Sequence, residues 1–237
     1  MKIVIAEKPS VGRELAKVFG ATTRKDGYIE GKGYSFTWAF GHLLQLAPPQ
    51  EYGFFGWRKE HLPMLPNKFK LSIRKIKTKD GMVEDPGVRK QLDTIKMLFD
   101  EATEIIVATD AGREGELIFR YIYSYLKCKK PFKRLWISSQ TDEAIKDGFR
   151  NLKPGTEYDT LFSSAHCRSV SDWLVGMNAT QALSISAGNR SVLSLGRVQT
   201  PTLAMICARY LEIKNFVPKI YYQIGIQLDK DGQLFKA

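Results

Sequence analysis

Two short apolar runs set the rhythm of this chain. Lys2-Ile-Val-Ile-Ala6 and Ile105-Ile-Val-Ala-Thr109 carry no charge after their first residue, the pattern of strands buried on both faces of a parallel sheet. Each leads within a few residues into a helical repeat. After the first, Val11 to Phe19 is helical in pattern and Gly20 is its stop signal. The pattern predicts strands at about 2–6, 34–40, 68–77, 104–109 and 134–137. It predicts helices at about 10–19, 87–100, 115–127 and 141–151. Asp85-Pro-Gly87 reads as a turn before the second helix, and Thr141 as the cap of the fourth. Strands that alternate with helices in this way predict an α/β fold around a parallel sheet.

Asn151-Leu-Lys-Pro-Gly155 stops the fourth helix and marks a boundary, with residues 1–155 on its near side. Beyond it the pattern is mostly helical. Ala165 to Leu183 sets Val170, Trp173, Leu174 and Met177 on one face. A loop rich in Ser, Gly and Asn, Ser184 to Asn189, separates it from a helix at Thr202 to Ile213, with Thr200 as its cap and Pro201 in its first turn. Residues 156–215 thus form a helical segment. Lys219 to Leu228 alternates like a strand, which makes 216–237 the start of a strand-rich part. A strand needs partners and few residues remain to supply them, so the chain reads as cut from something longer. The fold class expected is α/β: a parallel-sheet domain with flanking helices, then a mostly α-helical segment and a terminal β-strand.

Charge changes the picture next. The chain has 237 residues and a formal net charge of +11. The excess is uneven: Arg58 to Lys79 holds eight basic residues against one acid, Glu60. Inside it, Phe69 to Ile76 roughly alternates apolar and basic residues, like a strand with one cationic face. Such a face suits a phosphate backbone and also suits plain solvation. Tyr52, Phe54, Phe55 and Trp57 precede it, as packing groups or as platforms for bases. No apolar run reaches membrane-spanning length, and a strand at the very start argues against a signal peptide. The cysteines Cys128, Cys167 and Cys207 are widely spaced and form no CxxC pair, so reduced thiols in a cytoplasmic setting are expected.

The candidate chemistry sits where the two apolar runs end. Glu7 and Lys8 follow the first; Asp110 and, four residues later, Glu114 follow the second. Ligands in parallel α/β sheets bind beyond the carboxyl ends of strands. Carboxylates there, on a basic chain, suggest Mg²⁺ held for work on a phosphodiester, if the two strands are neighbours. One acid would ligate the cation, another would handle a proton, and Lys8 would stabilise a phosphate oxygen. The same acids also fit a solvated loop, since acids favour helix starts. Arg168 and Asp172, four apart on a helix, read as an ion pair on their own face. Arg197 and Gln199, ahead of a helix N-terminus, suit a phosphate and equally suit a capped helix with an exposed arginine.

Six stretches in order, taken together, resemble one family. They are Val4-Ile-Ala-Glu-Lys-Pro-Ser10, Phe40-Gly-His-Leu-Leu44, Ala108-Thr-Asp-Ala-Gly-Arg-Glu-Gly-Glu116, Leu135-Trp-Ile-Ser-Ser139, Ser171-Asp-Trp-Leu-Val-Gly-Met-Asn178 and Leu195-Gly-Arg-Val-Gln-Thr-Pro201. The chain is similar through them to the type IA DNA topoisomerases, on the bacterial topoisomerase III side. The resemblance implies a Toprim domain for 1–155, part of a helical single-strand DNA-binding domain for 156–215 and the beginning of an arch domain for 216–237. It implies an enzyme that cuts and reseals one DNA strand through a tyrosine–phosphate intermediate, with Mg²⁺ and without ATP, on single-stranded, supercoiled or catenated DNA.

Carried over by position, Glu7 and Lys8 are the catalytic acid and lysine. Asp110 and Glu114, with Glu7 near, hold the metal. Arg113, Arg168, Asp172, Arg197 and Gln199 lie along the DNA. The chain departs from the family's D-x-D-x-E pattern at Gly112, where an acid is replaced, and that puts a second metal in doubt. It also lacks the nucleophile: none of its ten tyrosines follows a Pro-Arg-Thr-Asp context. The polypeptide is therefore expected to bind single-stranded DNA without cleaving it. Two other readings share part of this signature. A Toprim nuclease or primase relative would have the acidic corner without the two later stretches, and a plain nucleic-acid-binding module would use its acids structurally.

Overall fold

A computed structural model describes residues 1–79, 81–188 and 191–236. In chain order its elements are β1 (Lys2–Ala6), α1 (Pro9–Val18), β2 (Thr23–Lys25), β3 (Tyr28–Gly31), β4 (Tyr34–Trp38), β5 (Leu44–Leu46), β6 (Leu71–Ile73), β7 (Lys75–Thr78), β8 (Gly81–Glu84), α2 (Pro86–Glu101) and β9 (Glu104–Ala108). There follow α3 (Arg113–Tyr125), β10 (Phe132–Arg134), α4 (Asp142–Arg150), β11 (Lys153–Pro154), α5 (Asp159–Ser186), α6 (Gln199–Lys214), β12 (Gln227–Lys230) and β13 (Gln233–Lys236). The chain divides into two units, Met1–Gly196 and Arg197–Ala237.

The first unit is built on a seven-stranded sheet of order β11-β10-β9-β1-β4-β3-β2. Its centre is parallel: β1 pairs with both β4 and β9, and β9 with β10. The apolar runs explain why. Ile3 and Ile5 point to one face and pack with Leu92, Ile95, Phe99, Leu117, Ile118 and Ile122, from α2 and α3. Val4 and Ala6 point to the other and pack with Leu15, Ala16 and Ile145, from α1 and α4. A strand covered on both faces has no polar position to offer, so it reads as a continuous apolar run. Asp85 caps α2, accepting from the Gly87 and Val88 amides, so that Pro86 and Gly87, read from the sequence as part of a turn, are the first residues of the helix; the Thr141 hydroxyl, the expected cap of α4, accepts from the Ala144 amide.

The helix α5 belongs to this unit and packs on the α3 side through Ala165 and Trp173. Trp173 is 5% exposed, donates its indole N–H to the Ala47 carbonyl at 2.9 Å and meets the rings of Tyr52 and Phe69 edge-on. Asn178 brackets Met64, accepting from its amide and donating to its carbonyl. Of the early aromatic stretch, Tyr52 and Phe54 are therefore packing groups, while Phe55 and Trp57 stay exposed.

Several expectations need correction. The basic stretch is not one strand. It breaks at Arg74, whose amide bonds to Leu43 and whose guanidinium pairs with Asp85 at 2.9 Å, so β6 joins β5 while β7 forms a hairpin with β8. The strand placed at 134–137 lies earlier, at Phe132–Arg134. The helix expected from Ala165 begins at Asp159. In the second unit, α6 begins at Gln199 with Val198 in the cap position and no side-chain cap, rather than under Thr200. Lys219 to Ile226 is not a strand, despite its alternation; pairing starts at Gln227, where Asp231-Gly232, both at positive φ, turn the chain so that β12 meets β13. Asn189, the last residue of the loop expected at 184–189, lies outside the described residues.

Trp173→Ala removes a buried ring and its hydrogen bond together. It is expected to lower the unfolding free energy by about 3–5 kcal/mol, read from urea titrations followed by circular dichroism.

Candidate functional site

The chain connections reverse direction across the sheet between its two central, parallel strands, β1 and β9. From β1 the chain leaves through α1 toward the β4 side; from β9 it leaves through α3 toward β10. The carboxyl ends of β1 and β9 therefore open a crevice, the usual ligand position in doubly wound sheets. Ala6 and Ala108 are register partners there. The next charged residues on the two strands are Glu7 and Asp110, and they meet: the Asp110 amide donates to Glu7 Oε2 at 3.2 Å. Glu7 is 8% exposed, whereas the Asp110 carboxylate is about half open to solvent. Lys8 stands between them, its Nζ 3.8 Å from Glu7 Oε1 and 3.5 Å from Asp110 Oδ2.

Glu114 lies on the first turn of α3 and faces a different partner, His42, whose Nε2 is 3.4 Å from Glu114 Oε2. His42 is brought in by the loop after β4, where the Gly41 amide donates to the Glu7 carbonyl. Among the described residues no three acids, histidines or cysteines are gathered closely enough to enclose a metal ion. What the corner offers is two solvent-open carboxylates, a sheltered one and a lysine.

Helix α3 comes unusually close to this loop. Its Gly115 carbonyl accepts from the Thr109 hydroxyl at 2.8 Å. A Cβ on Gly115 would overlap the Asp110 carbonyl and lie 2.8 Å from the Asp110 nitrogen. Glycine is thus required by close backbone approach. Gly112, the residue before α3, is extended (φ 178°) with open space around it. A Cβ there would meet nothing within 4 Å, so the absence of the motif's middle acid is not forced by crowding at the backbone.

Behind the loop lies a buried cation. Arg134 is fully buried and donates to the carbonyls of Val107, Thr109, Leu135 and Asp110 and to Glu116, which is itself fully buried. Burial lowers its pKa and Glu116 opposes that shift. Beside the corner, a cavity of about 400 Å³ opens between α1 and α4, with Glu14, Asp110, Trp136, Ser138 and Gln140 on its wall.

Of the residues expected to act, Glu7, Lys8 and Asp110 are brought into contact, with Glu114 on the adjoining helix turn. Arg113 is exposed at the start of α3. Arg168 and Asp172 lie on α5, 3.9 Å apart and both partly exposed, where the i, i+4 spacing put them. Arg197 and Gln199 belong to the second unit, at the start of α6. His42, Glu116 and Arg134 were not singled out from the residues. His42 stood in plain view inside Phe40-Gly-His-Leu-Leu44. Arg134 carried no signal, since an arginine at the first position of a predicted strand reads as surface.

Comparison with known proteins gives this corner its class. A Toprim domain model matches residues 2–140, and a DNA topoisomerase model matches residues 156–237. The first fits the parallel sheet with acids at its switch point and defines the chain as a Toprim-domain protein. Three curated relatives show how far the likeness extends. The chain is 50% identical to DNA topoisomerase 3 of Bacillus cereus over 95% of its own length, 49% identical to that of Bacillus thuringiensis over 98%, and 46% identical to that of Shouchella clausii over 99%. The chain belongs to the Toprim-domain family and is similar over nearly its whole length to these topoisomerase 3 proteins, of whose length it spans about 30%. The fold also matches full-length topoisomerase I from Thermotoga maritima with a TM-score of 0.61, at 24% identity, over 99% of this chain and 34% of that one.

Gly115→Ala is expected to push Asp110 away from Glu7. In a folded variant the Asp110 amide should lose hydrogen-exchange protection, measured by NMR; an unchanged amide would show that α3 can yield at this point.

Proposed function

We propose that this chain is the metal- and DNA-handling part of a topoisomerase that cuts and reseals one DNA strand through a tyrosine–phosphate intermediate, without ATP. One observation carries the reading: at the carboxyl ends of two adjacent parallel strands, Glu7, Asp110 and Lys8 are in mutual contact. On this reading 1–155 is the Toprim part, 156–215 the helical DNA-binding part and 216–237 the start of an arch.

The donor set fits a hard divalent cation. Mg²⁺ keeps several waters and needs one or two carboxylates, so solvent-open Asp110 and Glu114 suffice with Glu7 near. Bound there, Mg²⁺ would supply positive charge against phosphate oxygens. The rest falls to side chains of the chain. Lys8, already within reach of Glu7 and Asp110, adds fixed positive charge for a scissile phosphate. Glu7, sheltered and adjoining Lys8, is the proton-handling acid. The amino ends of α1 and α3 start at this corner, and helix N-termini favour anions. In the first unit Arg113 and Arg168 contact phosphates of single-stranded DNA, and Asp172 orients Arg168, from which it lies 3.9 Å; in the second unit, taken by itself, Arg197 and Gln199 do the same at the start of α6. Tyr121 is buried at 3% exposure, and burial raises its pKa, which argues against a nucleophilic role. The chain then binds single-stranded DNA and leaves it intact.

The test is a labelled single-stranded oligonucleotide with Mg²⁺, scored for binding and cleavage across salt. Binding that weakens steeply with salt, as phosphate contacts require, with no cleavage, is the expected result. Cleavage leaving free ends and abolished by Glu7→Gln would make the protein a nuclease. Gly112→Asp supplies the absent acid at an unobstructed helix cap and is expected to tighten Mn²⁺ binding several-fold in calorimetry. By capping α3 it should also stabilise the fold, by only a few tenths of a kcal/mol, because glycine is itself well tolerated at a helix cap. Unchanged Mn²⁺ affinity in this variant would place the metal away from Asp110 and Glu114.

A further inference from the structure

We infer that Arg134 is a positioning residue that holds the β9–α3 loop, and with it Asp110, against Glu7. Its effect on metal affinity rests on the reading of the acidic corner given above; its effect on the loop does not.

The geometry is specific. Arg134 closes β10 and is completely buried. Nη1 donates to the carbonyls of Val107 (3.0 Å), Thr109 (2.8 Å) and Leu135 (3.0 Å), and Nη2 donates to the Asp110 carbonyl at 2.7 Å. Thr109 and Asp110 follow the last residue of β9 and precede α3. Their carbonyls turn inward to Arg134 while the Asp110 amide turns to Glu7. One peptide segment is thus held from both sides, its oxygens by a buried cation and its nitrogen by the sheltered acid.

The guanidinium is itself fixed. Its Nε donates to Glu116 Oε2 at 3.1 Å. The other Glu116 oxygen accepts from Arg120 Nε at 2.8 Å, and Arg120 Nη2 continues to the Gly155 carbonyl and to Asp159 at the start of α5. A buried ion pair is a poor source of net stability, because desolvation offsets its attraction. A guanidinium offers five donors in a rigid fork, which an ammonium cannot reproduce. The arrangement is therefore better explained by the loop that it shapes than by the stability that it adds. The same polar partners, placed behind ligands, commonly set metal affinity.

The test compares the whole chain with Arg134→Lys and Glu116→Gln, using Mn²⁺ titration by electron paramagnetic resonance and amide exchange at Asp110 by NMR. Glu116→Gln should lower the melting temperature while leaving the Asp110 amide protected, since the four carbonyl contacts of Arg134 remain. Arg134→Lys should speed exchange at the Asp110 amide at least several-fold and weaken Mn²⁺ binding by about 10-fold or more. Wild-type exchange at Asp110 in folded Arg134→Lys would overturn the inference, as would changes in both variants that merely track their loss of stability. If the unmodified chain binds no Mn²⁺, the metal reading fails and the Asp110 amide still decides the role of Arg134. If Arg134→Lys does not fold, the double variant Arg134→Met/Glu116→Gln, which leaves no unpaired charge between the two positions, gives the same readout. Failure of both to fold would overturn the inference by making Arg134 a determinant of the whole fold.

Discussion

The parallel pairing of β1 with β9 is the constraint from which the rest follows. Both strands are buried on both faces, Ile3 and Ile5 toward α2 and α3, Val4 and Ala6 toward α1 and α4. Four consecutive fully buried positions in β1 leave a polar side chain nowhere to go except past the strand end. Because the two strands run in the same direction, their polar successors emerge at the same edge. Because their connections leave on opposite sides, nothing of the sheet crosses that edge. Glu7, Lys8 and Asp110 meet there as a consequence of topology, although 103 positions separate the two acids in sequence.

Bringing carboxylates together costs free energy unless charge is balanced, and the corner balances it with local means. Lys8 lies within 4 Å of both acids. His42 faces Glu114 from the loop after β4. The two acids nearest the strand ends differ in shelter: Glu7 is covered, Asp110 open. A covered acid and an open one at the same edge meet solvent differently, which is the distinction that the proposed division into proton handling and cation binding draws on. Beneath the corner the buried Arg134–Glu116 pair reaches the carbonyls of the loop that presents Asp110, and through Arg120 it reaches the first turn of α5. The acidic corner and the helix that carries Arg168 and Asp172 thus share one polar framework inside the first unit.

The basic stretch from Arg58 to Lys79 shows how charge is spent once the chain folds. Arg74 pairs with Asp85 and Lys75 with Glu51. Those cations therefore fasten the β7–β8 hairpin, and the Arg74 contact holds the Asp85 carboxyl below its ordinary pKa. Lys77 and Lys79 remain exposed on the hairpin. A run that looked like one cationic face is divided between structure and surface.

How much was legible follows the range of the interactions involved. The central strands, the α4 cap and the acids at the strand ends were all readable, because apolar runs and capping residues act over a few positions. The six ordered stretches made the family readable as well. The edge strand β2 and its neighbour β3 were not, since Thr-Arg-Lys and Tyr-Ile-Glu-Gly have no apolar rhythm and become strands by pairing, β3 on β4 and β2 on β3. The alternation of Lys219 to Leu228 misled for the converse reason: a suitable pattern without a partner in register stays irregular, and the Asp231-Gly232 turn chose the later residues. The sequence by itself determined which side chains stand at the ends of which strands. Only the tertiary structure decided that Glu7 and Asp110 touch, that Glu114 faces His42 and that Arg134 is buried beneath them, because those contacts depend on strand order and helix packing across the whole first unit.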